Sequence, residues 1–286
     1  MDYKNTENWV LSRLPSYQAI GKKAYNPGLK NVVKFVSTLN LPVDSLNLIH
    51  VGGTNGKGST SSYISSILQE SNYQVGIFSS PHFFDFRERI KINNQKISKS
   101  FIVDFVNKYK SLIEELELSF FELSFCISLA YFVHNDVDYG VIEVGLGGRL
   151  DATNIINPLI SVITNISYDH TDILGNSLEM IALEKAGIFK KNSTIIVGER
   201  NDSVDEIFIN KANEVSSKIT FVPDYNDQKQ YSSVNYLNTN IKTAIYTCKA
   251  LNIENVDNKS IMAGISNINK NCHLIGRWSI ISEDPR

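Results

Sequence analysis

Long apolar runs are missing from this chain of 286 residues. No stretch approaches the ~18 apolar residues that a membrane-crossing helix needs, and the N-terminus lacks a basic-then-apolar leader pattern. A soluble, cytoplasmic protein without a membrane partner is the expectation. An excess of charge of one sign is missing too. Lys and Arg number 28 against 30 Asp and Glu, a net charge of −2, so nothing draws the chain electrostatically to nucleic acid or an anionic membrane. Cysteine is scarce: Cys126, Cys248 and Cys272 are odd in number and lack metal-type spacing, which fits reduced thiols. No internal repeat occurs, and the one polar stretch, Pro223 to Ser233, reads as a loop. Apolar content of 42% is enough for a real core, in one large domain or one domain plus part of another.

What is present is a glycine-rich turn, Val51-Gly52-Gly53-Thr54-Asn55-Gly56-Lys57-Gly58-Ser59-Thr60. The mostly apolar run from Ser45 to Val51 reads as a strand before it. Ile64, Ile67 and Leu68 recur at helical spacing after it, so a helix opens near Lys57. Strand, turn, lysine and helix-start hydroxyls together form an arrangement that holds a nucleotide phosphate. Glycines let successive N–H groups face one anion, the helix dipole and the Lys57 ammonium add to that field, and a hydroxyl can reach magnesium. The match to the common P-loop is imperfect: Val51 stands where its first glycine would be, and Gly58 separates Lys57 from Ser59. No guanine-reading Asn-Lys-x-Asp occurs, so a GTPase is disfavoured.

Before the turn, Trp9, Val10, Leu11 and Leu14 mark a helix ending near Pro15, and Pro27-Gly28 start another. After it, Tyr73–Phe78 is a second strand, running into Ser79-Ser80-Pro81-His82, where His82 reads as a loop residue. Ile90–Ile92 and Gln95–Ile97 around Asn93-Asn94 read as a small hairpin. Helices follow around Ile102–Tyr109 and Phe121–Phe132, the second preceded by the aromatic segment Ser119-Phe120-Phe121-Glu122. An apolar strand from Tyr139 then ends at Glu143 before a glycine-rich turn. A carboxylate buried there needs a cation, either magnesium bridging phosphates or Arg149 in an ion pair. Leu159–Ile166 is a further strand, ending in Ser167-Tyr168-Asp169-His170. Ser80, Glu143 and His170 each follow a strand end, where ligands gather in open α/β sheets. A helix with Ile181 and Leu183 among its apolar positions ends at Glu184–Ile188, and strands at Thr194–Val197 and Ile219–Val222 flank a helix at Val204–Val215. The expected fold is α/β, a mostly parallel sheet flanked by helices.

In Gly-Thr-Asn-Gly-Lys-Gly-Ser (53–59), Phe-x-Glu-Arg-Ile (86–90), Gly-Leu-Gly-Gly-Arg-Leu-Asp-Ala-Thr-Asn (145–154), Thr-Asn-Ile-x-x-Asp-His (164–170) and Glu-Lys-Ala-Gly-Ile (184–188), the chain resembles the folylpolyglutamate synthase/dihydrofolate synthase family, relatives of the Mur ligases. The resemblance implies a P-loop-type Mur ligase central ATPase domain. It implies ATP held by Thr54, Asn55, Gly56, Lys57, Gly58 and Ser59, with Asn240 contacting adenine from a helix and Arg277 assisting. Leu237 stands where many members have glutamine. Two Mg2+ ions, with Mn2+ as a substitute, would be bound by Ser80, Glu143 and His170, Glu143 being shared. Lys185, if carbamylated, would become an anionic oxygen donor to magnesium. The pterin substrate would lie against Ser119, Phe120, Phe121, Glu122, Leu150, Asp151 and Ala152. Lys57, Lys185 and His170 would be the catalytic residues.

The resemblance covers essentially the whole chain, whereas members continue into a second α/β domain. Residues 1–270 are thus expected to be the ATP-binding domain and 271–286 the start of a linker, with that C-terminal domain absent. Nucleotide binding would survive in such a fragment and full ligation would not. The implied activity is ATP-dependent joining of L-glutamate to dihydropteroate or to folates, by a monomer whose partners are these small molecules. A Mur-type peptidoglycan precursor ligase and a nucleotide-binding module without turnover are the alternatives. Gly58 after the lysine and the Phe-x-Glu-Arg-Ile segment favour folate. Dihydrofolate synthase and polyglutamylating activity are not separated.

Overall fold

Five consecutive buried residues, Leu48–Gly52, form the strand β1 around which the sheet is built. The computed structural model describes residues 2–14, 28–223 and 230–274. In chain order the elements are α1 (Tyr3–Arg13), α2 (Lys30–Leu39), β1, α3 (Lys57–Glu70), β2 (Val75–Phe78), β3 (Ile90–Ile92) and β4 (Gln95–Lys96). Next come α4 (Lys99–Glu115), α5 (Phe120–His134), β5 (Tyr139–Glu143), β6 (Ile160–Ile163), α6 (Thr171–Leu174) and α7 (Leu178–Ala186). The remainder is β7 (Thr194–Val197), α8 (Asp205–Glu214), β8 (Lys218–Phe221), α9 (Asn235–Ala250), α10 (Asn258–Ser266) and α11 (Ile268–Cys272).

The strands form one eight-stranded sheet in the order β4-β3-β2-β5-β1-β6-β7-β8. All pairings from β2 to β8 are parallel; β3 runs antiparallel to β2, and β4 to β3. This is the mostly parallel α/β sheet that the sequence implied. β1 and β5 are buried at every position, as strands covered by helices on both faces must be. Register sets the site: Val51 lies opposite Glu143 on β5, and Gly52 opposite Ile163 on β6. The carboxyl ends of three neighbouring strands therefore open on one crevice, with β1 in the middle.

One apolar cluster combines α4, α5 and the N-terminal helices and includes Phe35, Phe78, Phe125 and Phe132. Each side chain so buried contributes about 1.5–3 kcal/mol. A second cluster packs α3, α9 and α10 on the sheet through Ile64, Ile67, Ile245 and Ile261. A third gathers Ile163, Ile181, Ile195 and Phe208. On α4 the buried positions Ile102, Phe105, Val106 and Ile113 trace one helical stripe behind a Ser98 cap. The hairpin turn is made by Asn93 and Asn94, both with positive φ, the conformation a two-residue connection demands.

Four features differ from the sequence reading or add to it. β1 begins at Leu48 because Val43–Ser45 forms a 3₁₀ turn. Leu183 is exposed, and Ile181 carries the buried face of α7. Arg149 pairs with Glu184, at 2.7 Å, so the cation of this turn is engaged at the end of α7. Residues 258–266 and 268–272 are helical, and α11 crosses position 270 to pack on α3, where Asn271 Nδ2 donates to Ser66 Oγ (3.1 Å) and Glu70 Oε1 (2.8 Å). Among the described residues no helix is long and apolar enough to cross a membrane.

Candidate active site

The turn after β1 is pinned from below. Thr54 N donates to Asn165 O (3.0 Å), Asn55 N to Asn165 Oδ1 (2.9 Å) and Thr164 Oγ1 to Asn55 O (2.6 Å). The turn closes through Gly53 (φ 136°) and Gly56 (φ 81°), conformations that L side chains rarely adopt. A Cβ at Gly56 would stand 2.2 Å from Asn240 Oδ1, so the asparagine of α9 packs directly on the loop. Gly56 is also the N-terminal cap of α3, without a side-chain hydrogen bond, which leaves first-turn N–H groups of that helix directed outward. Lys57 Nζ donates to Gly53 O and Thr54 O, both at 3.1 Å, and so hangs over the turn.

Glu143 is 4% exposed at the end of β5. Burial raises its carboxyl to about 7, against the opposing fields of Lys57 and Arg89 and a hydrogen bond from Ser80 N at 3.1 Å. Its oxygens lie 3.7 Å from where a Cβ of Gly58 would be, so it sits beside the start of α3. Arg89 is itself buried: its Nε donates to His82 Nδ1 (2.8 Å), and its guanidinium lies 4.9 Å over the Phe120 ring. Together with Ser80, Gly56, Gly58 and Ser59, Glu143 lines a cavity of about 830 Å³.

Lys185 is 4% exposed, and its Nζ donates to Gly53 O at 2.8 Å, so it shares that carbonyl with Lys57. Burial and then the Lys57 charge lower its amine to about 7. The turn after β5 is fastened to the same helix end: Arg149 N donates to Glu184 O (2.8 Å) and Asn154 Nδ2 to Gly187 O (3.0 Å). Asp151, buried in that turn, accepts from Leu146 N (2.8 Å) and Thr153 N (3.0 Å). Burial raises its carboxyl, while these donors oppose the shift. The ring of Phe121 comes within 2.5 Å of where a Cβ of Gly145 would be, and Asp151 Oδ2 within 3.0 Å of it, so this aromatic and this carboxylate meet over Gly145. Ala152 is buried and Leu150 half-buried beside them.

The fold thus brings Thr54–Ser59, Ser80, Glu143, Lys185 and Asn240 to one strand-end crevice, and Phe121 and Asp151 together over Gly145. Ser119 and Glu122 have a structural use of their own: they form a capping box on α5, Ser119 N donating to Glu122 Oε2 at 2.7 Å. Its Ser-x-x-Glu spacing is visible in the sequence. Phe120 stacks among Phe86, His82 and Arg89. His170 begins α6 with φ 46°, its Nε2 3.7 Å from Asp169 Oδ2. Arg277 lies outside the described residues. Among the described residues, no three His, Cys, Asp or Glu side chains converge as a cation site. A cation here would draw on Glu143 and Ser80, and the oxygen donors fit a hard divalent ion next to an anion-binding loop. Sequence reasoning missed His50, whose Nε2 lies 2.8 Å from Thr153 Oγ1, since nothing local signals a contact across 103 residues.

Residues 51–272 match the family model described as the Mur ligase middle domain. The dihydrofolate synthase/folylpolyglutamate synthase of Bacillus subtilis (strain 168) is 40% identical over 201 residues, covering 68% of this chain and 45% of the relative. The enzyme of the same name from Buchnera aphidicola subsp. Acyrthosiphon pisum is 32% identical over 296 residues, covering 98% of this chain and 70% of the relative. A solved bifunctional folylpolyglutamate synthase/dihydrofolate synthase with Mn, AMPPNP and L-glutamate bound superposes with a TM-score of 0.76 at 29% identity, over 91% of this chain and 66% of that one. The chain spans about half the length of the first curated relatives it matches, 45% and 44% of two of them. With the family model matching residues 51–272 and a relative 32% identical and covered over 70% of its length, the chain belongs to the folylpolyglutamate synthase/dihydrofolate synthase family of Mur ligases.

Proposed function

We propose that this chain provides the ATP-binding part of a ligase that joins L-glutamate to dihydropteroate or to a folate. The observation that carries the reading is the convergence of Gly53–Ser59, Glu143 and Lys185 on one loop, with Lys57 and Lys185 sharing the Gly53 carbonyl. Supporting it are the Mn, AMPPNP and L-glutamate held by a solved relative and the names of the curated relatives.

In this mechanism the loop N–H groups and Lys57 hold the ATP phosphates, and Asn240, packed on Gly56, borders the nucleotide. Arg277 would assist at the nucleotide. Ser80, Glu143 and His170 would hold the divalent cations, two in number, of which Mg2+ is the ordinary choice and Mn2+ a substitute. A bound cation supplies charge neutralisation at the phosphates. Lys185, whose amine burial lowers to about 7, is partly neutral near pH 7, the form that adds carbon dioxide, and loss of one proton gives an anionic carbamate. A pterin ring would lie against Phe121 and Asp151, with Ser119, Phe120, Glu122, Leu150 and Ala152 around it. Its substrate carboxylate then attacks the γ-phosphorus; the bond to ADP breaks, and an acyl phosphate forms. The glutamate amine adds to the acyl carbon, a proton is lost, and phosphate leaves as the amide forms. The chain's contribution is positioning and charge neutralisation. The protein acts as a monomer, and residues 1–270 form its nucleotide-binding domain.

The test is ATP-dependent phosphate release with dihydropteroate and L-glutamate, on this chain and on a version joined to a relative's C-terminal domain. The reading expects release from the joined protein that needs both substrates and falls at least a hundredfold in Lys57→Ala, an effect of the size seen for single charge-stabilising groups. Release that ignores dihydropteroate, or survives K57A, contradicts it.

A further inference from the structure

His50 belongs to β1 but serves neither the phosphate loop nor the carboxylate beside it. It is fully buried, with Nε2 2.8 Å from Thr153 Oγ1. Thr153 has one hydroxyl proton, and it donates that proton to Asp151 Oδ1. The threonine oxygen is therefore the acceptor toward His50, which must be the neutral tautomer with its proton on Nε2. Burial lowers the imidazole to about 3, so it stays neutral at any ordinary pH. Its other nitrogen, Nδ1, is buried without a hydrogen-bond partner among the described residues. A buried orphan acceptor costs free energy, and an aliphatic side chain would fill the space without that cost. What a histidine supplies here is the Nε2–H.

That N–H orders one chain of contacts. It fixes the Thr153 hydroxyl rotor, so the hydroxyl proton points at Asp151 Oδ1, where Thr153 N also donates at 3.0 Å. Oδ2 takes Leu146 N at 2.8 Å and lies beside Gly145, as the Phe121 ring does, and the Gly145 N–H also faces this carboxylate. We infer that His50 is a positioning residue for a planar, N–H-bearing heterocycle: acting through Thr153, it fixes the orientation of the Asp151 carboxylate beside Phe121. The inference rests on the reading that a pterin binds at this turn.

The test is equilibrium binding of pteroate and, separately, of AMPPNP with Mg2+ to the whole chain, with the thermal midpoint of each variant recorded. Thr153→Val keeps the shape and removes the hydroxyl; it should weaken pteroate roughly tenfold or more, the scale of a lost hydrogen bond to a charged group, and leave AMPPNP within about twofold. Thr153→Ser should bind pteroate like the parent. His50→Leu should weaken pteroate, and the H50L/T153V pair should bind no worse than T153V alone, because His50 acts only through Thr153. His50→Gln, whose amide N–H reaches toward the same oxygen, should recover most of the loss. If H50L does not fold, H50Q and the two Thr153 variants decide the matter. Equal losses of pteroate and AMPPNP, additive losses in the pair, or pteroate binding indifferent to T153V overturn the inference and leave the functional reading standing. AMPPNP binding without any pteroate binding by the parent overturns both.

Discussion

Glu143 and Lys185 bind protons differently in the folded and unfolded chain, with opposite consequences as pH changes. Burial raises Glu143 from 4.5 to about 7, so between those values the folded chain keeps a proton that the unfolded chain has lost, and stability falls as pH rises through that window. Burial and Lys57 lower Lys185 from 10.5 to about 7, so between those values the unfolded chain holds the extra proton, and stability rises with pH. Their combined cost is therefore largest near neutrality. Glu143→Gln and Lys185→Met should each raise stability at pH 7.5 by about 1–3 kcal/mol, within the 1.4 kcal/mol per pKa unit that linkage allows. The E143Q gain should grow between pH 5 and 8, and the K185M gain should shrink by pH 9.5. Thermal midpoints at pH 5, 7.5 and 9.5 check this; a variant less stable than the parent at pH 7.5 would show that its charge is paired well enough to be favourable. Such a trade is expected where a site holds charges for a ligand and not for the fold.

At the scale of elements, the loop from β1 into α3 separates two glycines that look alike in the sequence. Gly56 has φ 81° and would set a Cβ 2.2 Å from Asn240 Oδ1, whereas a Cβ on Gly58 would meet the Glu143 oxygens at an ordinary 3.7 Å. Gly56→Ala should destabilise the fold by about 1–3 kcal/mol through backbone strain alone. Gly58→Ala lies within α3 and should leave stability equal or better by up to about 1 kcal/mol, since alanine is the better helix former. G58A should nevertheless weaken Mg2+-dependent nucleotide binding, because the methyl group lies against the carboxylate. Urea unfolding with nucleotide titration on the two variants separates these effects; equal destabilisation by both would contradict the geometry.

Much of this was legible in the sequence. β1, β5 and β6 are covered on both faces and read as apolar runs, and α3 announces itself through its glycines and Ile64, Ile67 and Leu68. The residues from Asn258 to Cys272 are rich in Asn, Lys and Ser, with only Ile261, Ile265 and Ile268 at helical spacing, and the sequence reading assigns them no helix. Their helices are fixed by tertiary contacts such as Ser66 Oγ to Gly264 O at 2.6 Å. The site divided in the same way. Contiguous motifs pointed to the phosphate loop, Glu143 and Asp151, but the Arg89 stacking on Phe120 and the His50–Thr153 bond join distant segments and carry no local pattern.

For the whole molecule, the sheet is a platform that delivers separate turns to one edge. Val51 pairs with Glu143 and Gly52 with Ile163, so the ends of β1, β5 and β6 rise together, and α7 and α9 bring Lys185 and Asn240 against the same loop. Three apolar clusters, two on opposite faces of the sheet and one around β6, β7, α7 and α8, hold these pieces in register. The central claim is that this edge binds a nucleotide together with a divalent cation. Calorimetric titration of the whole chain with AMPPNP, with and without Mg2+, tests it most directly. The account predicts binding that strengthens at least tenfold with Mg2+, that is lost in K57A, and whose Mg2+ dependence fades in E143Q. Equal binding with and without the cation, or an unchanged affinity in K57A, would contradict it.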